Sequence, residues 1–212
     1  MMIVMHVVLV SMMLIMNNVK SEDLEVYVMR YPAAETAEKH ERILNEAARL
    51  FRERGFSGVS VSEIMKATGL THGPFYNHFD SKEALMADSV MHGMQTTLDG
   101  LDATEGSAKG WAEYVKKYLS VAHRDACGAG CTMAALAAEV RQEPLVRGPF
   151  TARLKAVVEE MAAHFPWSSK KAARGDSIRA LSSMVGAMVL ARAVDDDAFS
   201  EEILKEVRKG LV

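Results

Sequence analysis

Residues 60–79 read SVSEIMKATGLTHGPFYNHF, and this stretch carries the clearest structural signal in the chain. Ser60, followed three residues later by Glu63, forms a capping box and predicts the start of a helix. Gly69 stands where the chain leaves that helix with a positive φ, which glycine adopts most easily. Pro74 fits the first turn of a second helix, because its missing N–H has no intrahelical partner there. This pattern is typical of a helix-turn-helix.

The second helix of the motif is expected to have an apolar and a polar face. Phe75 and Phe79 are four residues apart and should pack inward. The outward positions, which are the candidates for contacts with bases, are Thr71, His72, Gly73, Tyr76, Asn77 and His78. A further helix begins at Lys82, where an ammonium group and unpaired backbone N–H groups can meet a phosphate. A hairpin that only packs is the alternative, but matching helices on both flanks favour DNA binding.

The motif and its flanks resemble the TetR family of bacterial transcriptional regulators. The flanking matches are Ile43-Leu44, Ala47-Ala48, Leu50-Phe51, Arg54-Gly55-Phe56 and Ser81-Lys82-Glu83-Ala84-Leu85. The resemblance implies a homodimeric repressor that a small-molecule or thiol-reactive inducer releases from a palindromic operator in double-stranded DNA. It further implies phosphate contacts from Tyr76, His78 and Lys82. The residues expected to contact DNA are Ser60, Thr71, His72, Gly73, Pro74, Tyr76, Asn77, His78 and Lys82.

Two of these positions depart from the family pattern. His72 stands where a lysine is frequent, and Pro74 stands where alanine or threonine is usual. Base contacts vary between members at these positions, so the operator sequence does not follow from the resemblance.

The rest of the chain predicts an all-α fold. Apolar residues recur at helical spacing, and alternating strand patterns are nearly absent. We expect a DNA-binding domain over residues 36–98 and a helical ligand-binding and dimerisation domain over residues 108–212. The net charge of −3 gives no sign of a strongly basic DNA-binding domain. DNA binding would therefore depend on a few individually positioned polar and charged groups. Two cysteines do not form a disulfide framework and suit a reducing compartment, which favours a cytoplasmic protein.

Residues 1–28 do not fit this organisation. Residues 1–16 are apolar except for His6 and Ser11, which is short for a membrane-spanning helix, and a signal peptide would need a basic start. Met29 is a natural beginning for a chain whose first helix starts near Thr36. We therefore expect the first 28 residues to lie outside the working fold and expect no membrane partner; a membrane-tethered regulator is the alternative.

The helical domain shows four apolar patterns. A stripe from Trp111 to Ala122 predicts one unbroken helix, and a second pattern beginning near Leu145 predicts a helix entered through Gly148-Pro149. The side chains that are candidates for lining an inducer pocket, with plain core as the alternative, are Trp111, Tyr114, Tyr118, Met133, Phe150, Met161 and Met184.

The last two patterns predict an apolar helix centred on residues 178–190 and an amphipathic helix capped by Ser200. The resemblance implies that these two helices form the four-helix bundle of a dimer. The residues expected in that interface are Leu181, Val185, Gly186, Ala187, Met188, Val189, Leu204 and Val207.

Cys127 and Cys131 flank a glycine-rich break and admit three interpretations. A metal site with His123 would lack a fourth ligand, and the glycines break the regular face, so neither a metal nor another cofactor is predicted. A thiol sensor would use Cys131 at a helix start, with Cys127 as the resolving thiol. A buried small apolar residue is the third interpretation of Cys131. The rival function is a cytosolic thiol-dependent redox enzyme using both cysteines; no other catalytic motif stands out, and we do not expect an enzyme.

Overall fold

The computed structural model describes residues 33–71 and 73–212, and these contain helices, turns and loops but no strand, which confirms the all-α prediction. The α-helices of these residues are α1 Ala33–Arg54, α2 Val61–Ala67, α3 Lys82–Asp102, α4 Ala108–Tyr118, α5 Val121–Asp125, α6 Thr132–Val140, α7 Pro144–His164, α8 Ala173–Ala193 and α9 Asp197–Lys209. Two short 3-10 helices cover Gly73–Asn77 and Cys127–Ala129. Within the described part of the chain, no helix has the length and apolar character needed to cross a membrane.

The chain divides into two units within α1, after His40. In the first unit, the described residues form the start of α1, where Lys39 Nζ lies 2.7 Å from Glu35 Oε1 in an i, i+4 ion pair. The expectation that residues 1–28 stand outside the working fold concerns residues that are not described.

The second unit contains one continuous apolar core. It begins on the stripe of α1, where Ile43, Ala47 and Phe51 are fully buried as the spacing predicts, and it continues to Leu204 on α9. α3 packs mainly along α7, and α8 packs against both α7 and α9. The helices that follow the motif are thus joined to it by shared packing.

The stripe from Trp111 to Ala122 is two helices, so the prediction of one unbroken helix is wrong. α4 ends at Tyr118, and the Ser120 hydroxyl accepts a hydrogen bond from the His123 N–H at 3.1 Å, which caps α5. Serine can cap the start of a new helix, but it also occurs inside helices, so its presence alone does not mark a break. The apolar spacing continues through the break, which is why periodicity alone does not reveal it.

Two other helix starts differ from expectation. α7 begins at Pro144 and carries Pro149 inside it, whereas the sequence suggested an entry through Gly148-Pro149. Pro149 withholds one N–H from the carbonyl of Leu145, a residue exposed to water that can replace that bond. α9 is capped by Asp196, whose carboxylate accepts from the Phe199 N–H at 3.0 Å.

Ser200 is therefore not the cap of the last helix. Its side chain is buried, and its hydroxyl donates to the Ala191 carbonyl at 2.6 Å and accepts from Arg124 at 2.8 Å. Ser200 joins α9 to α8 and α5.

Candidate nucleic-acid interface

The first helix of the motif has a complete capping box. The Ser60 hydroxyl accepts from the Glu63 N–H at 3.2 Å, and the Glu63 carboxylate accepts from the Ser60 N–H at 2.8 Å. The Ser60 N–H holds the pKa of Glu63 below its usual value, and the Ser60 hydroxyl and Arg54 act in the same direction. The Ser60 hydroxyl also donates to Glu63 at 2.8 Å. Ser60 therefore builds the start of α2, and its expected contact with DNA stays a prediction.

The turn of the motif depends on Gly69. Its φ is 73°, as the sequence analysis expected, and the Leu70 N–H reaches back to the Met65 carbonyl at 3.1 Å. The Thr68 hydroxyl donates to the same carbonyl at 2.7 Å. These bonds close the end of α2 and direct the chain into the outward segment.

That outward segment is a 3-10 helix of five residues, Gly73–Asn77. Gly73 and Pro74 are the two poorest α-helix formers, and α3 is already capped at Ser81, where the hydroxyl accepts from the Ala84 N–H at 3.1 Å. Few residues therefore remain between Pro74 and Ser81 for an α-helix. The segment is nevertheless fixed from below, because Phe75 and Phe79 are buried as predicted, with ring centroids 5.8 Å apart.

The anchored segment presents its polar residues outward. Thr71, Gly73 and Asn77 are exposed, and Tyr76 is 64% exposed with its ring edge against Phe75. Pro74 and His78 are half-buried. His72 lies outside the described residues. Except for His72, each position expected to face a groove is therefore exposed or half-buried.

Lys82 lies at the first turn of α3, as expected, with its ammonium group already anchored. Its Nζ donates to the Phe56 carbonyl at 2.6 Å, which ties α3 to the loop between α1 and α2. An ammonium group has three protons, so this bond orients the group and does not exhaust it.

Two arginines of α1, Arg49 and Arg54, are engaged with carboxylates. Arg49 lies 2.7 Å from Glu53 and also pairs with Glu46, while Arg54 pairs with Glu63 at 3.1 Å. Few cations of α1 therefore remain to attract phosphates, in agreement with the absence of a basic-domain signal.

Two contacts that the sequence analysis missed join the motif to the C-terminal helices. The Phe56 N–H donates to the Glu139 carboxylate at 2.7 Å, and Arg52 Nε donates to the Gly128 carbonyl at 2.7 Å. Gly55 has a φ of 73°, and a side chain there would collide with Glu139. These contacts were difficult to predict from the sequence, because a charged residue on a polar helix face is normally exposed to solvent.

The cysteine segment is organised by His123. Its Nδ1 lies 2.6 Å from the Tyr118 carbonyl, and its Nε2 accepts from the Cys131 N–H at 3.0 Å. Burial lowers the pKa of His123, so the ring is neutral with its proton on Nδ1. Both ring nitrogens are thus occupied, and no cluster of metal-ligating side chains is found among the described residues. Cys131 is buried at the N-cap of α6 as expected, and Cys127 is half-buried.

The predicted pocket residues are packed together and do not line a cavity found in the described residues. Tyr118, Met133, Met161 and Met184 are buried in the core, and Trp111, Tyr114 and Phe150 pack against it. A cleft of about 590 Å³ is lined by α9 and residues 119–121, and another of about 510 Å³ by α1 and residues 125–129. Neither contains any of the seven side chains, so the plain-core alternative describes them in this structure.

The expected dimer residues separate into two groups. Leu181, Ala187, Met188 and Leu204 are buried inside the chain's own core, so these four are unavailable to a partner and the expectation is wrong for them. Val185, Gly186 and Val207 are half-buried, and Val189 is 43% exposed. The sequence analysis missed other exposed apolar side chains on α8 and α9, namely Ile178, Leu190 and Phe199.

Comparison with known sequences places the motif in a described family. The family model "Bacterial regulatory proteins, tetR family" matches residues 43–88. The transcriptional repressor KstR2 of Rhodococcus jostii is 42% identical over 72 residues, which cover 32% of this chain and 35% of that protein. The uncharacterised regulator YerO of Bacillus subtilis is 32% identical over 90 residues, covering 42% of this chain and 31% of that protein. The matched region spans about a third of these relatives.

Solved structures match over most of the chain at low sequence identity. The reduced form of NemR from E. coli has a TM-score of 0.68 at 19% identity and covers 82% of this chain and 95% of that one. A TetR family regulator from Agrobacterium tumefaciens has a TM-score of 0.67 at 21% identity, covering 84% and 99%. These likenesses show a shared fold. The matched relatives are named as regulators, and nothing supports the rival redox enzyme.

Proposed function

Because this chain belongs to the TetR family of bacterial transcriptional regulators, we propose that it is a homodimeric repressor that an inducer releases from a palindromic operator. The observation that carries the proposal is the exposed 3-10 helix Gly73–Asn77, seated on two buried phenylalanines and entered through Gly69. Such a rigid, polar, outward segment suits insertion into a major groove. A repressor of this kind works in the cytoplasm, where the DNA is.

The proposed contacts divide into positioning and reading. Tyr76, His78 and Lys82 contact phosphates, because a phenol, an imidazole and an ammonium group are all suitable donors. Thr71, Gly73 and Asn77 are exposed. We propose that these three and His72 contact base edges. Pro74 has no N–H and offers only apolar contact, for which a thymine methyl group is the suitable partner.

The proposed partner across the dimer is a second copy of this chain, packed on the outer face of α8. Ile178, Val185 and Val189 follow one another at helical spacing on that face, and Ile178 and Val189 are 45% and 43% exposed. Gly186 lies beside this row, about 100° around the helix from Val185, and a β-carbon there would meet nothing within 4 Å. An apolar row with a glycine beside it allows another helix to approach closely, and a two-fold pairing matches the symmetry of a palindrome.

The inducer is proposed to act on the C-terminal helices and, through them, on the motif. Glu139 and Gly128 both bond residues at the end of α1, so a rearrangement of α6 or the preceding loop changes how α1 is held. A dimer whose two motifs no longer match successive grooves binds its operator less well.

The test is selection of bound fragments from a genomic library with the full chain. We expect recovery of a palindrome whose half-sites are one helical turn, about 34–36 Å, apart or a multiple of that distance. A matched control is Asn77→Ala, which removes one exposed amide and is expected to reduce enrichment of that palindrome. Recovery of fragments with no shared sequence, or none at all, would contradict the proposal.

A further inference from the structure

Three buried hydroxyls have no hydrogen-bond partner within the described residues: those of Ser89, Tyr118 and Thr132. Tyr118 is 8% exposed, and its hydroxyl lies beside the Cys131 thiol without the geometry of a satisfied hydrogen bond. Native proteins rarely leave buried hydroxyls unpaired. The structure therefore contains donors that lack an acceptor close to Cys131.

Arg52 brings a cation to the same place. Its Nε donates to the Gly128 carbonyl at 2.7 Å, and no carboxylate of the described residues lies within ion-pair distance of it. A β-carbon at position 93 would collide with Arg52 Nη1 and Thr132 Oγ1, so glycine leaves room for both atoms. Gly93 thus permits the guanidinium and the unpaired Thr132 hydroxyl to gather against α3.

Cys131 is the group of this cluster that can be oxidised. It is the N-cap residue of α6, a nine-residue helix whose first N–H groups favour negative charge at that end. Burial raises the pKa of Tyr118 well above its ordinary value, so its phenol keeps the proton that it can donate. A cation, a helix N-terminus and unpaired hydroxyl donors therefore surround one thiol.

A cleft of about 510 Å³ lies beside this cluster. It is lined by Arg49, Arg52, Glu53 and residues 125–129, so Arg52 and Cys127 form part of its wall, whereas Cys131 does not. Cys131 itself is 6% exposed, which restricts access to reagents not much larger than water.

We propose that Cys131 is a site of reversible oxidation by hydroperoxides, and that Tyr118 and Arg52 hold the oxidised sulfur. The sulfur attacks the terminal oxygen of the hydroperoxide; the S–O bond forms as the O–O bond breaks. The thiol is oxidised to a sulfenic acid, and the hydroperoxide is reduced to water, or to an alcohol if substituted, which takes up the thiol proton. The new oxygen accepts hydrogen bonds from the Tyr118 hydroxyl, which otherwise lacks an acceptor, and from the Arg52 guanidinium.

Oxidation at this position reaches the DNA-binding motif through Arg52. Turning the guanidinium toward the sulfenate draws it away from the Gly128 carbonyl, one of the bonds that hold α1. Since α1 packs against the motif, the oxidised protein binds its operator more weakly. This last consequence rests on the proposed function, whereas the chemistry at Cys131 does not.

The chemistry is tested first on the full chain without DNA. Hydrogen peroxide is added, and intact-mass and peptide mass spectrometry follow oxygen addition, with a cyclic 1,3-diketone to trap sulfenic acid. We expect the trapped adduct on Cys131 of wild type and of Cys127→Ser, formed at least about tenfold faster than any adduct on Cys127. No adduct on Cys131, or equal rates at the two cysteines, would overturn the proposal.

The role of the surrounding groups is tested with matched substitutions. Tyr118→Phe and Arg52→Lys should each slow adduct formation on Cys131 by about tenfold, because each removes a donor to the oxidised sulfur. Arg49→Lys is the control, since Arg49 lines the same cleft but pairs with Glu46 and Glu53. Tyr118→Phe should leave the melting temperature unchanged, because its hydroxyl has no partner to lose. Wild-type oxidation rates in both variants would contradict the assigned roles.

DNA binding is measured last, on fragments selected by the reduced protein. Peroxide should weaken binding of wild type and Cys127→Ser by about tenfold or more and leave Cys131→Ser unaffected, with a thiol reductant restoring the loss. If reduced protein selects no DNA, the proposed function fails while the mass-spectrometric result stands. If Cys131 is oxidised and binding does not change, the regulatory consequence is wrong.

Discussion

The side chains of the motif differ in how much of their hydrogen-bonding capacity the fold already uses. The Ser60 hydroxyl both accepts and donates within the capping box. Lys82 gives one proton to the Phe56 carbonyl, while Tyr76 projects from the 3-10 helix with 64% of its surface exposed. A substitution at Lys82 therefore changes both stability and DNA binding, whereas Tyr76→Phe keeps the ring contact with Phe75.

Tyr76→Phe should weaken operator binding and should lower the melting temperature less than Lys82→Ala does. The variant keeps the ring against Phe75 and removes only the hydroxyl proposed to contact a phosphate. Loss of one such hydrogen bond is expected to reduce affinity by about 0.5–1.5 kcal/mol. Gel shift at fixed salt and a thermal melt measure the two effects. Lys82→Ala is the comparison and should lower both; unchanged affinity in Tyr76→Phe would refute its phosphate contact.

Gly69→Ala should destabilise the chain, and Gly73→Ala should not. A β-carbon at either position would meet nothing within 4 Å, so neither substitution causes a steric clash. Only Gly69 has a positive φ, at 73°, and alanine in that conformation costs about 1–2 kcal/mol. Urea denaturation of the two variants measures the difference. Equal free energies of unfolding would show that the backbone at Gly69 is not strained by a side chain.

Among the helices, the starts and ends marked by local chemistry were predictable and those set by distant contacts were not. The capping box at Ser60 and the glycine turn at Gly69 stand in the sequence as a few neighbouring residues, and both are confirmed. The break at Ser120 was missed because apolar spacing runs through it. The 3-10 geometry of the outward segment was missed because it depends on where α3 is capped as well as on Gly73 and Pro74.

The capping box predicts a pH dependence of stability. The Ser60 N–H, followed by the Ser60 hydroxyl and Arg54, lowers the folded-state pKa of Glu63. A carboxylate with a lowered pKa stabilises the fold above its unfolded pKa and loses that contribution as pH falls through the folded value. The stability difference between wild type and Glu63→Gln should thus be constant above about pH 5 and shrink below about pH 4. A difference that grows on acidification would show that the sign is wrong.

At the scale of the whole molecule, one core runs from Ile43 to Leu204, so the motif and the C-terminal helices are packed together. Apolar patterning identified α8 as a core or interface helix, but did not show which residues turn inward. Ala187 is buried beside its own core, and its neighbour Gly186 faces open space. Successive residues of a helix are rotated by about 100°, so an apolar pattern predicts the helix more reliably than it predicts which residues face the core.

Gly186→Arg and Ala187→Glu should therefore fail in different ways. Arg at position 186 extends from the outer face of α8, so the chain should stay folded and lose its dimer. Glu at position 187 places a carboxylate in the chain's own core and should unfold it, at a cost of several kcal/mol, roughly 3–5. Sedimentation velocity and circular dichroism measure the two outcomes. A folded dimer of Gly186→Arg would place the interface elsewhere.

In the proposed function, two copies of this chain read the two halves of a palindrome. Sedimentation of the protein on a selected fragment, intact or with one half-site scrambled, tests this most directly. We expect two protomers on each intact duplex. Affinity for the scrambled duplex should be at least about a hundredfold lower, because only one motif of the dimer then finds its half-site. Binding of equal strength to both duplexes, or a single protomer on the intact one, would contradict it.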